Sequence, residues 1–246
     1  MIGVSDGLDA LVQRIDTELR AQGKPERATK EAQYLKSTLQ HYGTGVPATR
    51  AVVTRAIREG PGLDHDQLVA LAERLWGVPI HERRLAAVEL LGAEVAELVA
   101  TDIDLVECMV REARTWALVD PLAISVAGPL VEDHPELGSV LDRWSSDEDL
   151  WIRRSAMLAL LRPLRRGEGD WARFARHADA MLDDPEFFIR KAIGWVLRDT
   201  AKQRPNMVFE WILPRATRAS GVTIREAVKP LSTAQRDQVL AAYRSR

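Results

Sequence analysis

The segments Asp147-Glu148-Asp149-Leu150-Trp151-Ile152-Arg153-Arg154-Ser155-Ala156 and Asp183-Asp184-Pro185-Glu186-Phe187-Phe188-Ile189-Arg190-Lys191-Ala192 follow one pattern. In each, acidic residues and an aromatic residue precede an isoleucine, a basic pair and an apolar stretch with helical spacing. The two isoleucines lie 37 residues apart. Helix pairs that recur at such an interval are typical of stacked repeat proteins, because each pair buries its apolar face against the next. The two segments therefore predict an all-α helical-repeat solenoid.

The rest of the chain has the same helical periodicity. Apolar residues recur at three- and four-residue spacing, and no segment has the convincing alternation expected of a strand. We predict helices at 6–22, 26–42, 47–58, 64–76, 80–99, 102–114, 121–131, 134–143, 148–164, 171–182, 185–203, 205–216 and 232–243. The breaks between them are short, so we expect residues 1–246 to form a single all-helical domain.

The composition is that of an ordinary globular protein, with 46% hydrophobic and 28% charged residues. A lone cysteine, Cys108, excludes an intramolecular disulfide, and its apolar neighbours predict a buried thiol. The N-terminus lacks the basic and apolar regions of a signal peptide. The longest apolar stretch, 117–131, is interrupted by Asp120, Pro121 and Pro129. We therefore expect a cytoplasmic protein that does not enter membranes.

The net charge of −2 conceals a strong asymmetry along the chain. Residues 151–246 carry nineteen Lys and Arg against ten Asp and Glu, a net charge of +9. Residues 1–150 carry fifteen against twenty-six, a net charge of −11. The C-terminal part is thus the better candidate for a surface that binds phosphates.

A third basic pair, Arg83-Arg84, comes 70 residues before Arg153-Arg154, close to two repeats. Midway between them, Asp120-Pro121 places an acid where a basic residue would be expected. Asp followed by Pro is a favoured helix start, with Asp as N-cap and Pro at the first helical position. Alternatively, an intact helix from Trp116 would place its indole beside the carboxylate of Asp120.

A second group of polar residues shares one helical face. Lys191, Trp195, Arg198 and Lys202 follow a four-three-four spacing. Three cations around an indole suit a surface that binds phosphate and sugar. Because every amphipathic helix needs a polar face, each basic pair could also be only a solvated edge above the core.

These pieces together resemble the AlkD-type DNA alkylation-repair glycosylases. The resemblance runs in collinear order from about residue 30 to 230 and rests on Tyr34-Leu35-Lys36-Ser37, Gly43 through Arg50, Arg74-Leu75-Trp76-Gly77-Val78-Pro79, Trp116 with Asp120, His134-Pro135-Glu136-Leu137, Trp151-Ile152-Arg153-Arg154 and Phe187 through Arg198. Each piece is common, but the ordered set is fairly specific. In place of a tryptophan that some members carry beside the catalytic one, this chain has Thr115.

The resemblance implies a fold of HEAT-like repeats that holds double-stranded DNA in a concave face. It also implies base excision repair by a monofunctional glycosylase that releases cationic N3- and N7-alkylated purines, such as 3-methyladenine and 7-methylguanine, without flipping the base into a protein pocket. The catalytic residues of the family correspond here to Asp120, Trp116, Trp195 and Arg154. We further predict that DNA is contacted by Arg153, Arg190, Lys191, Arg198, Lys202, Arg84, Tyr34 and Lys36.

The same residues carry predictions about cofactors and partners. The histidines, His41, His65, His81, His134 and His177, are dispersed, so we expect each at the surface or at a helix end, and no metal site. No glycine loop that could cradle phosphates and no compelling lysine nucleophile is present, which favours simple hydrolysis without a cofactor. We expect a monomer whose partner is duplex DNA containing alkylated purines.

Two other functions stay open from the sequence. A non-catalytic HEAT-like module that binds DNA or protein would have no need of an acid between basic pairs. An enzyme that hydrolyses some other nucleoside or sugar would need a closed small-molecule pocket.

Overall fold

The computed structural model describes residues 2–60 and 62–245, with side chains described from Gly7 onward. The predicted all-α class is confirmed. The part of the chain that is described contains helices and no strand, apart from an isolated parallel bridge between Gln40 and Ile80. Within those residues, no helix has the length and apolar character needed to cross a membrane.

The chain forms two compact units, the first ending at Val126 and the second beginning at Ala127. The first unit contains α1 (Ile2–Gln22), α2 (Pro25–Leu35), α3 (Val46–Glu59), α4 (His65–Trp76), α5 (His81–Ala93), α6 (Ile103–Ala113) and α7 (Trp116–Pro121). Two short 3₁₀ turns, Val95–Glu97 and Ala100–Asp102, connect α5 to α6. The expectation of one domain over 1–246 stays a prediction.

Helix α5 is the centre of the first unit. It packs against α3, α4 and α7. Its side chains are buried around nearly the whole helix, including Leu85, Val88 and Leu91, as expected of a helix surrounded by others. Helix α4 is amphipathic instead: Leu68, Leu71 and Leu75 follow helical spacing and are fully buried.

The second unit contains α8 (Gly128–Asp133), α9 (Gly138–Trp144), α10 (Leu150–Leu158), α11 (Leu161–Arg165), α12 (Trp171–Ala180), α13 (Phe187–Ala201), α14 (Pro205–Ile212), α15 (Gly221–Ala227) and α16 (Thr233–Arg244). Helix α13 takes the central place and packs against α10, α11, α14 and α15. Each unit is thus built around a helix whose first turns carry a basic pair, Arg83-Arg84 in α5 and Arg190-Lys191 in α13.

Helix α15 was not predicted, because Gly221 and the β-branched Val222, Thr223 and Ile224 have weak helix propensity. Two local features explain why it forms. Ser220 caps its N-terminus by accepting a hydrogen bond from the Thr223 main-chain N–H, and α15 packs closely on α13. The missed helix shows tertiary packing overriding local preference.

Three other predictions are corrected. Helix α2 was expected to reach residue 42 but ends at Leu35, because Lys36 adopts a left-handed conformation with φ of 50°. Cys108 is exposed rather than buried, with Sγ 3.8 Å from the carboxylate of Glu112. His177 lies in the middle of α12 and is only 4% exposed, so the expected surface or helix-end position is wrong for this residue.

Candidate functional site

Trp116 and Asp120 lie one turn apart on α7, in the first unit. Thr115 begins the helix: its backbone is extended, and its Oγ1 accepts a hydrogen bond from the Ala117 main-chain N–H at 3.5 Å. Residues four apart share a face of an α-helix, so the indole and the carboxylate lie on the same side. Of the two sequence interpretations of Asp120, the intact helix is the one observed.

The alternative helix start at Asp120-Pro121 is therefore wrong. Pro121 lies inside a helical run and cannot donate a hydrogen bond to the carbonyl four residues earlier. The run continues through a π-helical segment, Leu122–Ala127, before α8 begins. A wider π turn accommodates such a missing bond. Two start signals lie within six residues of each other, and the Thr115 cap is the one used.

Asp120 is largely removed from water, with 8% of its surface exposed. The preceding residues Leu118 and Val119 are fully buried, whereas Trp116 is half-buried. A negative charge in such surroundings is less screened than one in bulk water, so it acts more strongly on a neighbouring positive charge.

Tyr34 packs against Trp116 within the first unit. The ring centroids lie 6.0 Å apart and the ring planes are nearly perpendicular, an edge-to-face contact. Tyr34 nevertheless remains 74% exposed, because it lies in the last turn of α2, a helix with no buried residue among those described. Lys36, the next predicted DNA contact, is exposed just beyond it. This surface gives an aromatic ring and a cation to solvent.

The two repeated sequence segments of the second unit form the same hydrogen-bonded turn before a helix. Asp147 Oδ1 accepts the main-chain N–H of Asp149, and Arg153 donates to the main-chain oxygen of Asp147, both at 2.8 Å. At the second segment, Asp184 Oδ1 accepts the N–H of Glu186 at 2.8 Å, and Arg190 donates to the Asp184 oxygen at 2.7 Å.

The first basic residue of each pair thus fixes the turn before its own helix. Arg153 also bonds the Asp184 carboxylate, at 3.1 and 3.2 Å. Its side chain is 17% exposed. The two segments are therefore tied to each other as well as internally, which explains why the pattern recurs. That Arg153 and Arg190 also contact DNA stays a prediction.

Arg154 is a buried cation, 3% exposed. Its Nη1 donates to the main-chain oxygen of Phe188 in the first turn of α13, and its guanidinium lies 5.8 Å from the centre of the Phe188 ring. The same ring packs against Trp151 at 4.9 Å. Arg154 therefore positions the beginning of the helix that carries Trp195.

The cations predicted on α13 do share a face, and a carboxylate from α15 organises them. Lys191 donates to Glu226 Oε1 at 2.7 Å, while Arg198 and Lys229 both bond Oε2. Glu226 is 7% exposed. Burial alone would raise the pKa of its carboxyl, but hydrogen bonds from Lys191, Lys229 and Arg198 lower that pKa to about 2.

A second buried carboxylate, Asp199, holds the other end of this face. It is 2% exposed and accepts the indole N–H of Trp195 at 3.2 Å. Lys202 Nζ and Arg165 Nη2 lie 2.9 and 2.6 Å from its oxygens. Burial would raise the pKa of Asp199, yet the bonds from Lys202 and Arg165 outweigh it and lower the pKa.

The face stays positive despite these ion pairs. Two carboxylates, Glu226 and Asp199, face five cations: Lys191, Arg198, Lys229, Arg165 and Lys202. The net charge of these seven groups is therefore +3. Lys202 and Lys229 are 55% exposed, so their ammonium groups reach solvent. This positive face attracts anions, and its ion pairs restrict the movement of its side chains.

Arg84, in contrast, is occupied inside the first unit. Its guanidinium donates to the main-chain oxygens of Trp76 at 3.2 Å and Glu112 at 2.9 Å, and it lies over the Trp76 ring at 4.8 Å. Its side chain is 12% exposed, and burial lowers its pKa. These contacts favour a structural role, since they join the C-terminal ends of α4 and α6.

Glu226 and Asp199 were missed from the sequence. Asp199 had a signal, because it lies four residues after Trp195 and one after Arg198. Glu226 had none: it lies in the unpredicted helix α15, 35 residues from Lys191. Its role depends on the packing of α15 against α13.

A family model described as "DNA alkylation repair enzyme" matches residues 15–231 of the chain. No curated protein shows significant similarity to it.

Solved structures of three bacterial proteins are similar to this chain. One is described as "Predicted DNA alkylation repair enzyme from Enterococcus faecalis", with 24% identity, a TM-score of 0.76, and coverage of 86% of this chain and 98% of its own. AlkD2 from Streptococcus mutans has 17% identity, a TM-score of 0.58, and coverage of 85% and 99%. The structure of smu.31 from Streptococcus mutans UA159 has 15% identity and a TM-score of 0.51, and the match covers 89% of this chain and 96% of smu.31. At these identities the similarity shows the fold alone.

Proposed function

Because the chain belongs to the family of DNA alkylation repair enzymes, we propose that it hydrolyses the N-glycosidic bond of cationic N3- and N7-alkylated purines in duplex DNA. The substrates would include 3-methyladenine and 7-methylguanine. The enzyme would act as a monomer, as a monofunctional glycosylase, and without a cofactor. The observation that carries the proposal is the pairing, on one face of α7, of a largely buried carboxylate with a half-buried indole.

The chemistry of these lesions suits such a pair. Alkylation at N3 or N7 gives the purine a positive charge, so the base leaves as a neutral molecule and needs no strong general acid. Positive charge then develops on the deoxyribose, as in other glycoside hydrolyses. What the enzyme must supply is a fixed negative charge near that sugar and a positioned water molecule.

Asp120 is the residue to which we assign that charge. Its position inside α7 fixes the backbone of the residue, and its burial reduces screening by water. The carboxylate would stabilise the oxocarbenium-like sugar and orient or deprotonate the attacking water. Removing a group of this kind typically costs about 10²–10³ in rate.

The indoles of Trp116 and Trp195 would contact the cationic nucleoside through their ring faces, each contributing about 0.5–2 kcal/mol. Both rings are half-buried, and each is held by a neighbour: Trp116 by the edge contact with Tyr34, Trp195 by its hydrogen bond to Asp199. Arg154 would contact a neighbouring phosphate through its guanidinium group.

The second unit supplies the proposed DNA-binding face. Its support is the net charge of +3 that Glu226 and Asp199 form with the five cations around them, two of which, Lys202 and Lys229, are more than half exposed. Neutralised phosphates release counterions, which gives such binding its sequence-independent strength.

The test measures bases released from methylated duplex DNA by the wild-type chain and by Asp120→Asn. We expect 3-methyladenine and 7-methylguanine from the wild type, and release slower by about 10²–10³ from the variant. Asp102→Asn is the matched control, because Asp102 is also an 8% exposed aspartate of the first unit. We expect it to retain activity.

Three other results would redirect the proposal. No release by the folded wild-type chain, with DNA still bound, would favour the non-catalytic module. Equal release by Asp120→Asn would keep the activity and remove Asp120 from it. Equal loss in both variants would show a stability effect, which circular dichroism would reveal.

A further inference from the structure

Three side chains outside the proposed site bring metal-binding atoms together in the first unit. Glu31 on α2, His41 in the following loop and Glu82 on α5 each offer a ligand atom, and these atoms all lie within 4.8 Å of one another. From the sequence we expect no metal site, because the histidines are dispersed. Glu31, His41 and Glu82 are ten and forty-one positions apart and match no ligand-spacing motif.

The main chain holds the loop beside α5. Gln40 N–H donates to the Pro79 oxygen at 3.1 Å, and the Gln40 oxygen accepts the His81 N–H at 2.9 Å. The Glu82 carboxylate accepts the main-chain N–H groups of Tyr42, Gly43 and Thr44. His41 therefore lies between two fixed points, and its ring is in place without any ligand.

The ring of His81 adds a further restraint. It stacks on that of His41 with centroids 4.6 Å apart and planes 12° apart. His81 is itself buried, at 3% exposed, and is therefore held in place. Its ring covers one face of the His41 ring and limits the rotation of that side chain. The group of ligand atoms within 4.8 Å of one another does not include His81, so His81 would support the site rather than enter it.

Buried polar atoms without partners concentrate here. Both ring nitrogens of His41, Oε2 of Glu31 and Nδ1 of His81 are buried and make no hydrogen bond. They are four of the nine such side-chain atoms in the described part of the chain. Leaving a buried polar atom unpaired is unfavourable, and each such group in a folded protein calls for a partner.

We propose that Glu31, His41 and Glu82 bind a divalent transition-metal ion, of which Zn²⁺ is the representative. An imidazole with two carboxylates is a donor set that zinc accepts, whereas Ca²⁺ and Mg²⁺ prefer oxygen ligands alone. The two carboxylates balance the charge of a divalent ion.

The geometry allows such an ion with a small movement. Glu82 accepts two main-chain bonds on Oε1 but one on Oε2, so Oε2 keeps a lone pair for a metal. A tetrahedral zinc site needs its ligand atoms about 3.4 Å apart. Glu31 would have to close the difference by moving its side chain, which is 19% exposed and lies 3.6 Å from the guanidinium of Arg27. Three protein ligands would leave one position for water.

An ion in this site would join α2 to α5. An open cleft of about 830 Å³, lined in part by Lys24, Arg27, Lys30, Glu31 and Tyr34, reaches the site at Glu31. Tyr34 follows Glu31 by one turn and packs on Trp116. Metal binding would therefore stabilise α2 and, with it, the position of Tyr34.

The experiment uses the full chain, dialysed against EDTA and titrated with Zn²⁺ by calorimetry. We expect one Zn²⁺ per chain, and affinity lower by more than about tenfold in both Glu31→Gln and His41→Gln. His134→Gln is the control, because His134 also lies near a glutamate, 3.7 Å from Glu136, but outside the cluster. Its affinity should equal that of the wild type.

Hydrogen exchange provides the second measurement. Zn²⁺ should slow amide exchange in residues 25–35 of the wild type and have no such effect in Glu31→Gln. That variant keeps the test decisive if His41→Gln is unstable, since Glu31 lies on a helix without buried side chains. The proposal is overturned if the wild type binds no Zn²⁺, or if both variants bind it as tightly as the wild type does. Water molecules would then be the partners of the unpaired atoms.

Discussion

The indole of Trp195 donates its N–H to the buried carboxylate of Asp199, 3.2 Å away and one helical turn later. The same carboxylate forms ion pairs with Arg165 and Lys202. One aspartate therefore fixes the orientation of the aromatic ring and positions cations beside it. The relationship predicts that Asp199 matters for the stability of this face as well as for its charge.

Asp199→Asn should lower the free energy of unfolding by about 1–3 kcal/mol. The amide keeps one acceptor for the indole but loses the charge that pairs with Arg165 and Lys202, and its NH₂ group would face other donors. The loss is moderated because these cations are about half exposed and can be hydrated. Urea denaturation measures the change.

Asp237→Asn is the control for this substitution. Asp237 is 66% exposed and lies 3.7 Å from Arg236, a surface pair of little value. Its effect should stay within about 0.5 kcal/mol. Equal effects of the two substitutions would contradict the role given to Asp199.

Gly194→Ala should destabilise the second unit. A Cβ at this position would lie 2.8 Å from Glu226 Cβ and 3.2 Å from Thr223 Cα, so α15 would have to move away from α13. We expect a cost of about 1–3 kcal/mol from the overpacking. The cost should exceed the gain of about 1 kcal/mol in helix propensity.

Gly92→Ala is the matched control in α5. At this position the atom nearest to a new Cβ is the Cβ of Ser125, 3.5 Å away, which is an ordinary van der Waals contact. The same substitution should be neutral or stabilising, as measured by thermal unfolding. Destabilisation by Gly92→Ala of the size expected for Gly194→Ala would show that close helix packing is not the cause.

The contrast between these glycines shows why part of the fold could be predicted. The spacing of apolar residues predicted most of the helices. The 37-residue repeat is also present in the structure, since Arg153 and Arg190 each donate to a main-chain oxygen six residues earlier. The close approach of α15 to α13 depends on two segments packed in space. No local pattern around Gly194 reveals it.

The candidate site was predictable to a similar extent. Trp116 and Asp120 were paired from their spacing alone, but their helix was placed wrongly because Asp-Pro is itself a strong start signal. The cationic face of α13 was predicted, whereas its anchor Glu226 was not. Ion pairs across 28 or 35 residues leave no signature in one sequence.

Glu226 gives the protein a specific sensitivity to acid. Its pKa in the folded chain is about 2, below the ordinary value of 4.5. The folded state therefore binds this proton more weakly than the unfolded state does. The resulting stabilisation is complete above pH 4.5 and is lost as the pH falls from there to about 2.

Glu226→Gln should remove that dependence. The variant should be less stable than the wild type at pH 7, and the difference should shrink as the pH falls from about 4.5 towards 2. Urea titrations at several pH values measure it. A difference that stays constant from pH 7 to pH 2.5 would mean that the carboxylate is not stabilised by Lys191, Arg198 and Lys229.

Lys202 offers the clearest test of the proposed DNA-binding face, since its side chain is 55% exposed and keeps ammonium donors beyond the one on Asp199. Lys202→Ala should weaken binding to undamaged duplex DNA. It should also reduce the slope of log K against log salt by about 0.9, the value for one lost phosphate contact. Fluorescence anisotropy at several salt concentrations measures both quantities.

Arg84→Ala is the comparison, because Arg84 carries the same charge but donates to two main-chain oxygens and is 12% exposed. This variant should unfold more easily and keep the wild-type salt slope. If instead Arg84→Ala flattens the slope and Lys202→Ala does not, the phosphate contacts lie on the first unit. The cationic face held by Glu226 and Asp199 would then be a structural ion-pair network that takes no part in DNA binding.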